Sequence, residues 1–263
     1  MIAAAMFGGR TRSWSSRLGA YRALAVALGL LGTSDGGEVA ARPTGKTAHK
    51  HAEPPAGHVA LASAPPQKTV LLLPVEGVWG IIQGASSEGT HQGYAAFAYD
   101  MVPAEKPPSP ADFRRRTRLE DHPCYGRPIL APADGRVVWA RDGARELPPF
   151  RQGKRHEAGN FVILRHAADE LTEFRHLQRG SVEVREGDQV RAGQRIARCG
   201  NSGNAVTPHL HFAFLGSYRP IATRPARWSG YQVLDAQGRW RPGDGELLED
   251  QIVRPLAAAP AGH

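Results

Sequence analysis

The chain has 263 residues, 41% of them hydrophobic, and a formal net charge of +8. That allows one good-sized domain with extra segments or two small domains, with enough apolar content for a real core. Glycine (30) and proline (21) are abundant, which favours turns and short strands over long helices. No Gly-rich phosphate loop or nucleic-acid-binding motif occurs, so the basic charge suits an anionic surface or simple solvation rather than nucleic acid.

Residues 1–41 differ from the rest. Arg10, Arg12, Arg17 and Arg22 make a basic start, followed by the apolar run Ala23–Gly32. Ten residues are too few for a bilayer, which needs about 20. They fit the h-region of a secretory signal, with small residues before a cleavage point after Ala41. An uncleaved anchor is the rival, and either places the body of the protein outside the cytoplasm. Residues 42–68 are rich in Pro, Ala and charge and read as a disordered linker. His49, His51 and His58 in it read as solvated.

From Thr69 the texture changes. Residues 69–84 read as strand, turn and strand, broken at Pro74 and Gly77. "GYAAFAYDM", residues 93–101, reads as a strand, followed by a Pro-rich charged loop over 103–127. "RPILAPADGRVVWARDG" reads as a hairpin about Asp134-Gly135. A loop covers 141–158, and "NFVILRHAADELTEFRHL" reads as a second hairpin. "SVEVREGDQVRAGQRIARCGNSGN" alternates short strands with Gly turns, and "HLHFAFLG" is a further strand. No stretch keeps a 3.6-residue apolar period over ten residues. Residues 69–230 therefore read as one all-β domain, antiparallel and sandwich-like with long loops. Residues 231–263 read as a C-terminal extension with a loose tail. Cys124 and Cys199 are the two cysteines, and pairing between them is left open.

Candidate chemistry lies in "PHLHF". Residues two apart on a strand share a face, so His209 and His211 point the same way. Upstream, "HQGYAAFAYD" supplies His91 and Asp100, and "EFRHL" supplies His176. Two imidazoles and one carboxylate suit a single Zn2+ with one position left open for water. The ion's charge would bring the pKa of that water to about 7. Two further imidazoles would move protons and stabilise an oxyanion.

"HQGYAAFAYD", "APADGRVV", "GNFVILRH", "EFRHL", "VREGDQVRAGQRIARCGNSGN" and "PHLHF" occur in an order that resembles the lysostaphin-type (LytM-like) zinc endopeptidases. These cleave peptide cross-links of bacterial peptidoglycan. The resemblance spans roughly Leu71 to Phe214. It implies that His91, Asp100 and His211 bind zinc and that His176 and His209 are catalytic. It also implies a periplasmic or cell-envelope location and a peptidoglycan peptide as substrate.

One departure matters. The family usually places three residues between its early His and Asp, whereas eight separate His91 from Asp100. On an unbroken strand, positions nine apart would face opposite ways. A turn at Gln92-Gly93 resets the phase, and His122 in "EDHPC" is the alternative first ligand. His166 reads as structural and His156 as solvated. Asn201, Ser202 and Asn204 read as turn formers that could also line a cleft.

Two other readings are weighed. Degenerate members of the family regulate other wall hydrolases, but they typically lose ligand residues, and none is missing here. "LAPADGRVV" with "VREGDQVRAGQRIA" also resembles biotinyl and lipoyl carrier barrels. A carrier needs a lysine in a hairpin, and Lys154 lies in a polar loop without that context.

Overall fold

A computed structural model describes residues 65–84, 91, 95–104, 115–151, 153 and 157–256. Residues 1–64, with the expected signal and most of the linker, Gln92-Gly93, Lys154, His156 and residues 257–263 lie outside these residues, whereas linker residues 65–68 are described, and Gln67 and Lys68 there are hydrogen-bonded. Among the described residues, eleven strands form one sheet. In spatial order the path runs β12 (Trp240–Gly245), β11 (Trp228–Leu234), β13 (Ile252–Pro255), β1 (Trp79–Gln83), β2 (Ala98–Pro103) and β9 (Leu210–Tyr218). It continues through β6 (Glu170–Leu177), β5 (Asn160–Ala167), β4 (Gly135–Arg141) and β7 (Gln189–Val190). The short β10 (Ile221–Arg224) also pairs with β9. A two-stranded sheet joins β3 (Pro128–Leu130) to β8 (Arg195–Arg198). Every strand ladder is antiparallel, as the alternating sequence patterns predict.

The central strands β2, β9 and β6 have two distinct faces. One carries Tyr99, Met101, Phe174, Phe212 and Phe214, all fully buried in the main core with Trp228, Ile129 and Ile196. Phe212 meets Phe174 edge-on, with ring centroids 5.4 Å apart. Each such large side chain contributes roughly 1.5–3 kcal/mol of burial. Ile129 and Ile196 come from β3 and β8, so the small sheet helps enclose this core. The opposite face holds a smaller cluster of Ala98, Phe161, Ile163, Leu171, Ala213 and Leu215.

Three expectations change. The run Thr69–Leu73 enters no ladder; Leu71 makes only an isolated bridge to Trp228. Its anchor is Glu170, whose carboxylate accepts hydrogen bonds from Lys68 N and from Thr69 N and Oγ1. Asp134-Gly135 is not a hairpin turn, because β3 pairs with β8 while β4 pairs with β5 and β7. Asp134 instead ties the crossing down, its Oδ1 accepting from Ala192 N and its carbonyl from His166 Nδ1. Gly135 is required by close approach: a Cβ there would lie 2.8 Å from the Arg165 carbonyl oxygen. Finally, position 230 lies inside β11, and residues beyond it supply β12 and β13, so the sheet continues to Pro255.

The hairpin of β5 and β6 forms as read. The segment 103–127 is mostly irregular where described, with one 3-10 turn at Leu119–Asp121. Cys124 and Cys199 are joined in a disulfide, both about 1% exposed. No helix among the described residues is long and apolar enough to cross a membrane.

Candidate metal centre

Asp100 sits on β2 directly opposite His211 on β9. This pairing places both on the face opposite Tyr99 and Phe212. His211 Nδ1 lies 2.9 Å from Asp100 Oδ1. His91, 4% exposed, reaches the same oxygen through Nε2 at 3.3 Å. His209 Nε2 lies 3.5 Å from it. One carboxylate oxygen is thus the meeting point of three imidazoles.

His91 is not on β2, which begins at Ala98. The phase conflict of an unbroken strand therefore does not arise. His91 Nδ1 donates to the Ala98 carbonyl at 3.0 Å, which leaves Nε2 for the cluster. The same arrangement recurs at two other histidines. His176 Nδ1 donates to the Ser202 carbonyl at 2.8 Å, and His209 Nδ1 to the Thr207 carbonyl at 2.7 Å. In neutral imidazole, a proton fixed on Nδ1 leaves a lone pair on Nε2.

His176 reaches the cluster by an irregular route. Regular alternation from Phe174 would aim it into the main core. The pairing of β5 with β6 instead skips register between Asn160–Leu177 and Val162–Phe174, giving β6 one extra residue. At that point His176 adopts φ +61°, the left-handed region. Such a non-glycine conformation costs about 1–3 kcal/mol. It turns the ring to 4.9 Å from His209 and 5.6 Å from His211, between centroids.

Two donor groups could hold an ion. His91, Asp100 and His211 form one, and His176, His209 and His211 the other, each with ligand atoms within 4.8 Å of one another. Tetrahedral zinc with bonds of about 2.0–2.1 Å keeps its donors about 3.3 Å apart. The 3.3 Å and 2.9 Å separations from Asp100 Oδ1 to His91 and His211 lie close to that. The first group also brings a carboxylate, a hard anionic donor that offsets the ion's charge. The residues therefore fit a zinc ion.

The electrostatics agree with a crowded polar cluster. Burial raises the Asp100 pKa, but the nearby His91 and His209 outweigh it and hold the carboxyl well below its usual range. Burial and then the neighbouring imidazoles press His176 well below the ordinary histidine value. Burial lowers His211 as well. For His209 the burial penalty is exceeded by attraction to Asp100, so its value rises.

Two other described histidines, His122 and His166, lie outside both donor groups. His122 belongs to neither donor group; its Nε2 hydrogen-bonds the Arg116 carbonyl at 3.1 Å, and burial lowers its pKa to about 4. His166 bridges the Asp134 carbonyl and Thr172 Oγ1, a structural pairing. Asn201 and Ser202 are fully buried and act as scaffold. Ser202 Oγ donates to the Leu177 carbonyl and accepts from Asn160 N, which fixes the loop whose carbonyl holds His176. Turn formation or cleft lining, the two roles that the sequence suggests for this loop, do not include this support of His176. Nor does the sequence single out Arg175, which pairs directly across from His211 on the same face.

Residues 121–223 match the model of peptidase family M23. That segment contains His176, His209 and His211; the pairing of β2 with β9 adds Asp100 from upstream. The peptidoglycan DD-endopeptidase ShyC of Vibrio cholerae is 36% identical over 121 residues, covering 41% of this chain and 26% of ShyC. The murein hydrolase activator NlpD of Escherichia coli is 35% identical over 103 residues, covering 39% of this chain and 23% of NlpD. The match thus spans about a quarter of the length of these two curated relatives. Among solved structures, the catalytic domain of lysostaphin from Staphylococcus simulans aligns at 25% identity with a TM-score of 0.30, covering 38% of this chain and 67% of that one. The similarity to peptidase family M23 thus covers residues 121–223, the part of the chain that supplies His176, His209 and His211.

Proposed function

We propose that this protein is an exported zinc metalloendopeptidase that hydrolyses peptide cross-links of bacterial peptidoglycan. The observation that carries this reading is the convergence of His91, Asp100 and His211 on one point, with His176 and His209 beside it. His91 Nε2, Asp100 Oδ1 and His211 Nδ1 would hold the ion. Zinc, when bound, supplies a Lewis acid that acidifies water and polarises a carbonyl. His176 and His209 present Nε2, held in place by backbone carbonyls on Nδ1. Each can accept a proton at Nε2 and return it, first from the attacking water and later to the leaving amine. As imidazolium, the same atom donates a hydrogen bond to the oxygen that gains charge.

The match to ShyC, named as a peptidoglycan DD-endopeptidase, supports the substrate class. The basic, then apolar, N-terminal pattern supports export, with residues 1–41 as leader or anchor and 42–68 as linker. A basic surface would favour retention on an anionic wall.

A second reading, a non-catalytic activator of other wall hydrolases, is favoured by the match to NlpD, named a murein hydrolase activator. The intact set of five side chains supports catalysis over that reading. Metal analysis with muropeptide profiling separates them. Purified protein should carry one zinc and release new peptide products from sacculi, and His209→Ala should keep the zinc but lose the products. A protein without zinc, or wild type and variant giving identical products, would refute the enzyme.

A further inference from the structure

Trp139 and Tyr218 are half-buried and pack on the smaller apolar cluster, the one on the metal-centre side of the sheet. Both rings carry an arginine. The Arg219 guanidinium lies over each, 5.2 Å from the ring centre of Trp139 and 5.5 Å from that of Tyr218. Arg165 lies over Tyr218 as well, at 5.8 Å. Arg136 stands directly across the β4–β5 ladder from Arg165. All three arginines are exposed, and none is ion-paired with a carboxylate among the described residues. The two acids of the next strand, β6, are committed elsewhere: Glu170 accepts from Lys68 and Thr69, and Glu173 pairs with Arg175. Like charges directly opposite on a ladder repel and weaken the pairing. Folding therefore gains nothing from Arg136 facing Arg165, and an anion between them would cancel the repulsion.

We infer that Arg136, Arg165 and Arg219 form a second binding site, apart from the metal centre, for carboxylates of the uncut wall polymer. The identity of the polymer rests on the peptidase reading above. The aromatic rings engage the flat faces of the Arg165 and Arg219 guanidiniums. That leaves the N–H edges outward, and such an edge matches the two oxygens of a carboxylate. The position suits a polymer. Arg165 pairs with Leu171 on β6, and Leu171 with Leu215 on β9. Leu215 follows His211 on the same face of β9, about 13 Å along the strand at 3.3 Å per residue. An extended peptide of about four residues spans that distance. A chain with carboxylates at intervals can thus rest on the arginines while a neighbouring cross-link lies at the metal centre.

The test measures binding of soluble, uncross-linked glycan–peptide strands, which offer no cross-link to cut, to the zinc-loaded full chain. Converting the carboxylates of the strands to amides should weaken their binding to wild type by about tenfold, the scale of a few exposed ionic contacts. The triple variant Arg136→Gln/Arg165→Gln/Arg219→Gln should lose a similar factor and bind native and amidated strands nearly alike. Arg136→Gln alone, which disturbs neither ring, repeats the comparison with a smaller loss should the triple variant fail to fold. Polyphosphate of matched charge serves as the phosphate probe. Equal binding of native and amidated strands by wild type would overturn the site. So would a folded triple variant that keeps the wild-type preference. Tighter binding of polyphosphate than of the native strands would overturn the assignment to carboxylates. None of these measurements needs hydrolysis, so they stand apart from the peptidase reading, which fails when zinc-loaded wild type releases no peptide from sacculi.

Discussion

The Cys124–Cys199 disulfide closes a loop across 75 residues, which contains β3 to β8 and His176. In the chain-entropy account, closing a loop of that length removes about 15 cal/mol/K from the unfolded chain, or about 4.5 kcal/mol at 25 °C. Replacing both cysteines with alanine should cost that much, apart from small packing losses. With an m-value of about 2.5 kcal/mol/M, the urea midpoint falls by roughly 1.5–2 M. Wild type with excess reductant should move the same way. A local effect should accompany the global one. Cys199 sits in a bridge to Leu177, and Ser202, three residues on, accepts the His176 hydrogen bond. Reduction should therefore lower kcat for peptide hydrolysis before it lowers zinc content. Coincident midpoints for oxidised, reduced and alanine-substituted protein would refute the reasoning, provided thiol titration finds no free cysteine in the oxidised form.

Two further perturbations probe the site and its scaffold. His91→Ala should weaken zinc binding by more than about 100-fold, the upper end of what losing an outer partner costs, whereas His122→Ala should keep zinc and lose about 1–3 kcal/mol of stability through its buried hydrogen bond; competition with a chromogenic chelator reads the first and urea unfolding the second. Glu170 opposes a burial penalty with three hydrogen bonds from Lys68 and Thr69, and these hold its pKa below the usual 4.5. A depressed folded value means that its contribution is full above 4.5 and fades as pH falls through the lower folded pKa, so Glu170→Gln should lower the urea midpoint at neutral pH and narrow its gap to wild type in acid.

The sequence displays the residue types of the site but only part of what aims them. Strand alternation puts His209 and His211 on one side, and both do reach Asp100 Oδ1. That Asp100 faces His211 follows from pairing β2 with β9, strands more than a hundred residues apart in the chain. No local pattern encodes that choice. The hairpin of β5 and β6 was legible because both strands and their polar tip are contiguous. The Asp134-Gly135 hairpin failed for the opposite reason: a common turn dipeptide there links two sheets, and the flanking strands find better partners at a distance.

His176 is the most instructive case. Simple alternation along β6 assigns it to the core face, with Phe174. It reaches the cluster only through an extra residue and a left-handed backbone at a non-glycine position. Neither leaves a mark in residue composition. The surrounding structure must hold that strain, and the pieces that do so can be named. Ser202 supplies a carbonyl to the ring and a hydroxyl to Leu177, the next residue. Asn160 ties the opposite strand to the same Leu177 carbonyl. In all, three of the five imidazole and carboxylate groups take their direction from main-chain carbonyls, at Ala98, Ser202 and Thr207. A carbonyl is common to every residue, so side-chain motifs could single out these five residues but not their orientation. The consequence is that side-chain changes at Ala98 or Thr207 should disturb the site only where they move the backbone, whereas any change that shifts the 199–204 loop reaches His176 directly.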